Sequence, residues 1–163
     1  GWTRLRELDG QVNQHERQIR ALALQSEPAR RLMEARGIGP MTATAAVATI
    51  GDAKLFRNGR AVTAWLGMAP RHSGTGGQIW MGRITGRGDT YLRMLFVQGA
   101  RSVMNTTRGK TDPLSLWVER LRARRGDNIT AVALAAKNVR MVWAMLARGE
   151  AYRSAQAAQG AAA

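Results

Sequence analysis

Residues 29–51 read ARRLMEARGIGPMTATAAVATIG, and this stretch decides the fold. We expect a helix over residues 29–35, a turn at Gly37-Ile38-Gly39 and a second helix over residues 40–50. Two short helices joined by Gly-Ile-Gly are typical of a helix-hairpin-helix motif, because glycine allows a tight turn. An ordinary helical hairpin with a glycine cap fits the same letters. Either reading predicts an all-α domain.

The turn of this predicted motif is a candidate site for phosphate. In a helix-hairpin-helix motif, the backbone amides that open the second helix point outward. The positive end of the helix dipole then favours a phosphate group at that place. We therefore assign Gly37 and Gly39 as residues that anchor a nucleic-acid backbone.

Residues 2–24, on the amino-terminal side of the motif, are predicted to form one long amphipathic helix. Apolar residues recur there in steps of three and four, which is the a/d seam of a coiled coil. We expect residues 1–26 to be a coiled-coil-like linker helix. It either pairs with a partner helix or packs on its own domain. The seam consists of Leu5, Leu8, Val12, His15, Ile19 and Leu22.

Four further helices complete the predicted helical domain over residues 27–149. Their expected spans are 59–66, 90–107, 114–125 and 129–148. Polar residues that suit N-caps precede the helices of this domain. These predicted caps are Ser26, Asn58, Asp89, Asp112 and Asn128. The Ala-rich stretch over residues 150–163 has no apolar pattern, and we expect it to be disordered.

Residues 67–88 form the one stretch that departs from helical periodicity. They read GMAPRHSGTGGQIWMGRITGRG and hold seven of the chain's 18 glycines. We expect one long exposed loop with a short extended piece over residues 78–84. Long loops inside compact domains are uncommon and often functional, so this loop is the first candidate for chemistry.

Composition indicates a polyanionic partner. The 163 residues carry a net charge of +14 and a pI near 11.8, which favours nucleic acid first and an acidic membrane surface second. The absence of Cys excludes a disulfide scaffold, a Cys–zinc site and a thiol nucleophile, and it fits a cytoplasmic protein. We see no signal peptide, and we expect no membrane span, because Lys137, Asn138 and Arg140 interrupt the most apolar stretch.

Carboxylates are scarce around the glycine-rich stretch. Asp89 is the only acidic residue between Lys54 and Thr111. A two-metal nuclease needs several converging carboxylates, so we assign no metal ligand and no cofactor to this chain. On composition alone, a flexible Ser/Gly loop that binds phosphate through its amides is favoured over chemistry there.

Hydroxyl groups are the remaining candidate nucleophiles. Ser73 and Thr75 are the two candidates, because glycines around them allow a substrate to approach. His72 is a candidate for proton transfer. The residues assigned to nucleic-acid binding around these hydroxyls are Arg71, His72, Gly76, Gly77, Arg83, Arg87 and Arg93.

Several ordered motifs resemble the C-terminal transposase domain of the insertion-sequence-110 family. The likeness covers residues 28–149, and residues 1–26 resemble the linker between that family's domains. The motifs that carry it are residues 32–52, 64–70, 73–77, 82–89 and 91–93, followed by 117–125, 131–135 and 143–144.

The resemblance implies a site-specific DNA recombinase that a structured guide RNA directs, with DNA, RNA and further copies of the chain as partners. It implies a dimer or tetramer that acts in the prokaryotic cytoplasm at the nucleoid. In that family a serine of the glycine loop attacks DNA. A RuvC-like domain with acidic residues and Mg²⁺ completes the site. The first residue is Gly1, so we expect a piece of a longer protein that lacks this second domain.

One departure from the family pattern leaves the nucleophile open. The family loop commonly reads Ser-Ser-Gly-Gly or Ser-Thr-Gly-Gly, whereas this chain reads SGTGG over residues 73–77. An ungapped alignment places Gly74 in the serine column. Ser73 is the only serine of the loop and is our choice, with Thr75 as the alternative.

Overall fold

A computed structural model describes residues 1–75 and 77–153, and this part of the chain is mostly helical. The predicted all-α class is confirmed, with one small two-stranded sheet. A 3₁₀ turn over Ala53–Leu55 lies between the third and fourth helices. The helices are α1 (Trp2–Gln25), α2 (Glu27–Leu32), α3 (Pro40–Ile50), α4 (Gly59–Trp65), α5 (Thr90–Met104), α6 (Pro113–Arg125) and α7 (Asp127–Arg148). The strands are β1 (Pro70–Thr75) and β2 (Gln78–Ile84).

Four of the five predicted N-caps are confirmed. In each, a side-chain oxygen accepts a hydrogen bond from the backbone N–H three residues further on. These residues are Ser26, Asn58, Asp89 and Asp112. The prediction of Asn128 is wrong, because α7 begins at Asp127 and its N-cap is Gly126 with a φ of +80°.

Three helices end earlier than the sequence predicted, and the helix expected over residues 59–66 ends at Trp65. The helix expected over residues 29–35 ends at Leu32, because the chain turns from Met33 onward. The helix expected over residues 90–107 ends at Met104. Thr107 is fully buried after this end, where its hydroxyl contacts the Met104 carbonyl and the Glu119 carboxylate.

Helix α7 is the centre of the core. It packs against α4, α5 and α6, and its buried residues include Leu134, Val139 and Val142. By length and composition α7 is apolar enough to cross a membrane. The sequence analysis did not expect this, because Lys137, Asn138 and Arg140 interrupt the apolar stretch. More than half of its most apolar window is buried within the protein, as in the core helix of a globular domain.

The turn between α2 and α3 packs on the middle of α5. Gly37 has a φ of +87°, and a side chain at Gly99 would overlap the Gly37 carbonyl oxygen. The amide of the buried Asn138 on α7 donates to the Arg36 carbonyl at 3.2 Å. The predicted turn is therefore fixed by two other helices, and glycines allow the close approach.

Helix α1 confirms the predicted long helix, yet most of it is solvent-exposed. Leu5, Leu8 and Val12 are each about half exposed, whereas Ala23 near the end is buried. Only the carboxyl-terminal end of α1 packs on α2 and α3. Most of the predicted seam therefore does not pack on the chain's own domain. Most of the stretch predicted to be a disordered tail, residues 154–163, lies outside the described residues.

Candidate nucleic-acid interface

The glycine-rich stretch folds into a β-hairpin. Strands β1 and β2 are antiparallel, with Ser73 opposite Trp80 and Thr75 opposite Gln78. Gly77 at the turn has a φ of +84°, which suits glycine. The prediction of one long loop over residues 67–88 is therefore wrong, because the chain reverses at Gly77 and two strands pair. The extended piece expected over residues 78–84 is confirmed as β2.

Two glycines hold the base of the hairpin closed. A Cβ atom at Gly67 would overlap the Arg87 carbonyl oxygen, and one at Gly88 would overlap the Trp65 carbonyl oxygen. The Gly86 amide also donates to the Gly67 carbonyl at 3.0 Å. The segment that leaves α4 and the segment that enters α5 therefore touch each other, backbone against backbone, at the base of the hairpin.

Arg93 joins the two sides of this base. Its guanidinium Nη1 donates to the Leu66 carbonyl at 2.9 Å and to the Arg87 carbonyl at 3.3 Å. Its Nη2 lies 3.4 Å from the Thr90 hydroxyl. Arg93, which the sequence analysis assigned to nucleic-acid binding, therefore donates hydrogen bonds to the end of α4 and to the segment that enters α5.

The other predicted cationic residues lie along the exposed hairpin. Arg71, His72, Arg83 and Arg87 are all solvent-exposed. The Arg71 guanidinium donates to the Thr85 carbonyl at 3.2 Å, whereas the guanidinium groups of Arg83 and Arg87 make no hydrogen bond or ion pair to the described residues. Two arginines are therefore available to bind phosphate groups in a bidentate way.

Electrostatics favour an anion beside this hairpin. Asp89, the acid nearest in sequence, caps α5 by accepting the Leu92 amide at 2.6 Å. Within residues 1–75 and 77–153, no three His, Cys, Asp or Glu residues come together to hold a metal ion. The described residues therefore do not fit a Mg²⁺ centre of their own.

Ser73 and Thr75, the predicted nucleophiles, both lie on β1. Their backbones pair with β2 close to the turn of the hairpin. Gly76, assigned to nucleic-acid binding, lies outside the described residues, and Gly77 follows it at the exposed turn. The hairpin therefore brings the two hydroxyl-bearing residues into one short strand with Arg71 and His72.

Gly37 and Gly39 belong to a different part of the surface. Gly37 packs near Gly99, which lies about 14 Å along α5 from its start at Thr90. Gly39 is the N-cap of α3. Because glycine has no side chain, no cap hydrogen bond is made to the backbone amides of the first turn. The geometry keeps this turn available for an anion, apart from the hairpin.

An ion pair that sequence reasoning missed supports this turn. Arg36 lies 2.8 Å from Asp112 at the start of α6. The Ser115 hydroxyl is the main cause that lowers the pKa of Asp112 below 3.8, and Arg36 lowers it further. The sequence around Asp112 and Pro113 predicts only a helix cap. It does not predict Arg36 as a partner of Asp112, because the two residues are far apart in sequence.

Fold and surface together define a basic helical domain that carries an exposed β-hairpin and a second turn suited to anions. The chain belongs to the IS116/IS110/IS902 family of transposases, whose family model matches residues 29–113. The match runs from α2 through the hairpin to the start of α6.

Similar proteins have transposase names. The chain is 47% identical over 149 residues to a probable family 20 transposase of Pseudomonas aeruginosa, covering 91% of the chain and 44% of that protein. It is 36% identical over 152 residues to the transposase for insertion sequence element IS1111A of Coxiella burnetii, covering 93% and 42%. It is 34% identical over 142 residues to the transposase for IS1328 of Yersinia enterocolitica, covering 87% and 42%. The chain spans about two fifths of the length of these relatives.

Proposed function

We propose that this chain is the DNA-binding, serine-bearing half of an RNA-guided transposase. The observation that carries the proposal is an exposed basic hairpin inside the stretch that the transposase family model matches. Arg83 and Arg87 bind backbone phosphates, and Arg71 supports them from the first strand. Gly37 and Gly39 anchor a second stretch of backbone through the start of α3.

Ser73 is the proposed nucleophile. Its hydroxyl oxygen attacks a DNA phosphorus, and the bond from phosphorus to one bridging oxygen breaks. Ser73 gives up its hydroxyl proton, the leaving bridging oxygen takes up one proton and becomes a free hydroxyl end of the DNA, and the other DNA end is joined to Ser73 through a phosphate ester. Nearby guanidinium groups stabilise the charge that develops on the phosphoryl oxygens. Thr75 is the alternative nucleophile on the same strand.

The rest of the active site belongs to a part of the protein that the chain does not span. As the family resemblance implies, a RuvC-like domain there would supply carboxylates that hold Mg²⁺. This isolated chain is therefore proposed to bind nucleic acid without catalysing strand exchange. The transposase acts with its guide RNA at the nucleoid in the prokaryotic cytoplasm.

The exposed seam of α1 supports a homo-oligomer, either a dimer or a tetramer. Leu5, Leu8 and Val12 recur at coiled-coil spacing, and each is about half exposed among the residues that the structure describes. Pairing with the same helix of a second copy removes this apolar surface from water. A composite site formed between subunits then combines Ser73 of one copy with the carboxylates of another.

A non-catalytic module that holds DNA or RNA is the second candidate. The same exposed arginines and the uncapped start of α3 favour it, because neither feature requires bond cleavage. Such a module binds with a steep salt dependence and forms no covalent adduct.

The experiment compares Ser73→Ala and Thr75→Ala in a protein of the relatives' full length that contains this chain, with guide RNA and DNA present. Ser73→Ala is expected to abolish both strand exchange and the covalent protein–DNA adduct, whereas Thr75→Ala retains them. Loss with Thr75→Ala alone reassigns the nucleophile. Normal recombination by both variants removes the catalytic proposal, and retained DNA binding then leaves the binding module.

A further inference from the structure

A second basic surface lies at the end of α4 that is remote from the hairpin. Two arginines from different helices meet there, Arg60 in the first turn of α4 and Arg140 in the middle of α7. We call them the arginine pair. None of the residues assigned to nucleic acid so far belongs to this surface.

A glycine contact brings the two helices together at this point. A Cβ atom at Gly59 would lie 2.9 Å from Arg140 Cα and 3.0 Å from Arg140 Cβ, so only glycine allows this approach. Arg60 follows directly in the chain. The α4 backbone therefore covers the stem of Arg140 and holds the two arginines close to each other.

The connection before α4 adds two cations. The Trp143 indole donates to the Ala53 carbonyl at 3.0 Å, which fixes this connection on α7 one turn beyond Arg140. Lys54 and Arg57 are exposed on it. Asp52 is the acid nearest in sequence, and its carboxylate is used to cap the 3₁₀ turn through the Lys54 amide.

The arginine pair lacks a compensating charge in the structure. Neither side chain makes a hydrogen bond or an ion pair to any of the residues that the structure describes. Burial lowers the pKa of the Arg140 guanidinium, and the positive charge of Arg60 lowers it further. Both side chains stay protonated, so the two positive charges repel each other.

Helix dipoles do not explain these positions. A cation in the first turn of a helix is disfavoured by the dipole, and this is where Arg60 lies. Arg140 is in the middle of α7, away from the carboxyl-terminal turn that favours cations. An external anion is therefore the partner that would offset the repulsion.

We propose that Arg60 and Arg140, flanked by Lys54 and Arg57, bind backbone phosphates of duplex DNA. This inference rests on the proposed function, because it extends the path of the DNA from the hairpin along α4. The axis of α4 is about 10 Å long, and duplex DNA carries one charge per about 1.7 Å of its axis. One duplex is therefore long enough to contact both ends of α4.

Contact with the backbone is favoured over contact with bases. Phe56 and Trp65 pack on each other with ring centroids 5.3 Å apart, and Trp143 is buried against Ala53. Trp65 is partly exposed, but it lies at the opposite end of α4 from Arg60. Exposed guanidinium groups without a stacking partner suit the regular phosphates of a duplex.

The test measures binding of this chain to a short labelled DNA duplex over a range of NaCl concentrations. Arg60→Gln and Arg140→Gln are each expected to reduce the slope of log K against log[salt] by about 1, and the double variant by about 2. Arg60→Lys keeps the charge and is expected to keep the slope. Arg30→Gln removes one exposed charge from α2 and is the matched control, with no expected change.

The outcomes separate this inference from the proposed function. Unchanged slopes for Arg60→Gln and Arg140→Gln, together with lower slopes for Arg83→Gln and Arg87→Gln, overturn the inference and leave the proposed function standing. If the wild-type chain does not bind the duplex, both fail. An effect confined to an RNA of equal length overturns the assignment to DNA. If Arg140→Gln unfolds, the exposed Arg60→Gln and Arg60→Lys variants decide the question.

Discussion

Single glycines allow backbones to touch where a side chain would separate them. Gly99 in the middle of α5 lies against the carbonyl of Gly37, and Gly67 lies against the backbone of Arg87. A helical glycine normally costs stability relative to alanine, so Gly99 is explained by this contact and not by helix propensity. The identity of single residues thus decides whether the α2–α3 turn can reach α5.

Replacing Gly99 with alanine is expected to destabilise the domain. The new methyl group would overlap the Gly37 carbonyl oxygen, which is backbone and can move only if the whole turn shifts. We expect a loss of about 1–3 kcal/mol in the free energy of unfolding, measured by urea denaturation.

Gly10→Ala is the control for this prediction. Gly10 also lies in a helix, but apart from its chain neighbours and the backbone of its own helix no atom lies within 4 Å of the position that its Cβ would take. Its substitution is expected to increase helix content without lowering the unfolding midpoint. Equal midpoints for Gly99→Ala and the wild-type chain would refute the role of the Gly37–Gly99 contact.

At the scale of elements, the hairpin depends on one arginine that it does not contain. Arg93 on α5 donates to carbonyl groups on both sides of the hairpin base. β1 and β2 otherwise contact mainly each other. The position of the hairpin relative to the helices is therefore fixed chiefly at its base.

Arg93→Gln is expected to loosen the hairpin without unfolding the helical body. Loss of hydrogen bonds from a charged donor costs about 1.5 kcal/mol, which corresponds to roughly tenfold faster amide exchange. Hydrogen-exchange mass spectrometry should show this increase over residues 67–89. Exchange in α7 should stay at the wild-type rate.

Arg83→Gln is the matched control, because Arg83 is exposed and makes no hydrogen bond to the described residues. It removes the same charge and should leave exchange unchanged. If the two variants exchange alike over residues 67–89, Arg93 does not hold the base.

At the scale of the whole molecule, local signals predicted the helical body well. Caps such as Asn58 and Asp89 depend on the sequence within three residues, and the structure confirms them. The prediction of Asn128 as N-cap is wrong because Gly126, with its positive φ, allows α7 to start two residues earlier. Short-range chemistry therefore sets most of the helix boundaries, with errors of a few residues.

The hairpin was only half predicted. The alternation in β2 was visible, whereas β1 contains Pro70 and Gly74 and few residues that favour strands. Gly76-Gly77 between two short runs is a hairpin signal that sequence reasoning did not use. The roles of Arg93 and Arg140 depend on contacts between distant elements, so no local pattern contained them.

The assembly of whole chains is predicted to depend on the exposed face of α1. Val12→Asp places a charge in the apolar seam and is expected to convert oligomers into monomers in sedimentation velocity. Gln14→Asp makes the same change at an exposed position off the seam and should leave the sedimentation coefficient unaltered. A wild-type chain that sediments as a monomer at every concentration would contradict the prediction.

The closed contact at Gly67 and Gly88 also affects how this fold can diversify. Because the two backbones touch there, the spacing of α4 and α5 does not depend on the length of chain between these glycines. The hairpin is thus a lobe that can be lengthened, shortened or exchanged while the helical framework is retained. A single framework can in this way present tips of different reach and sequence to different substrates.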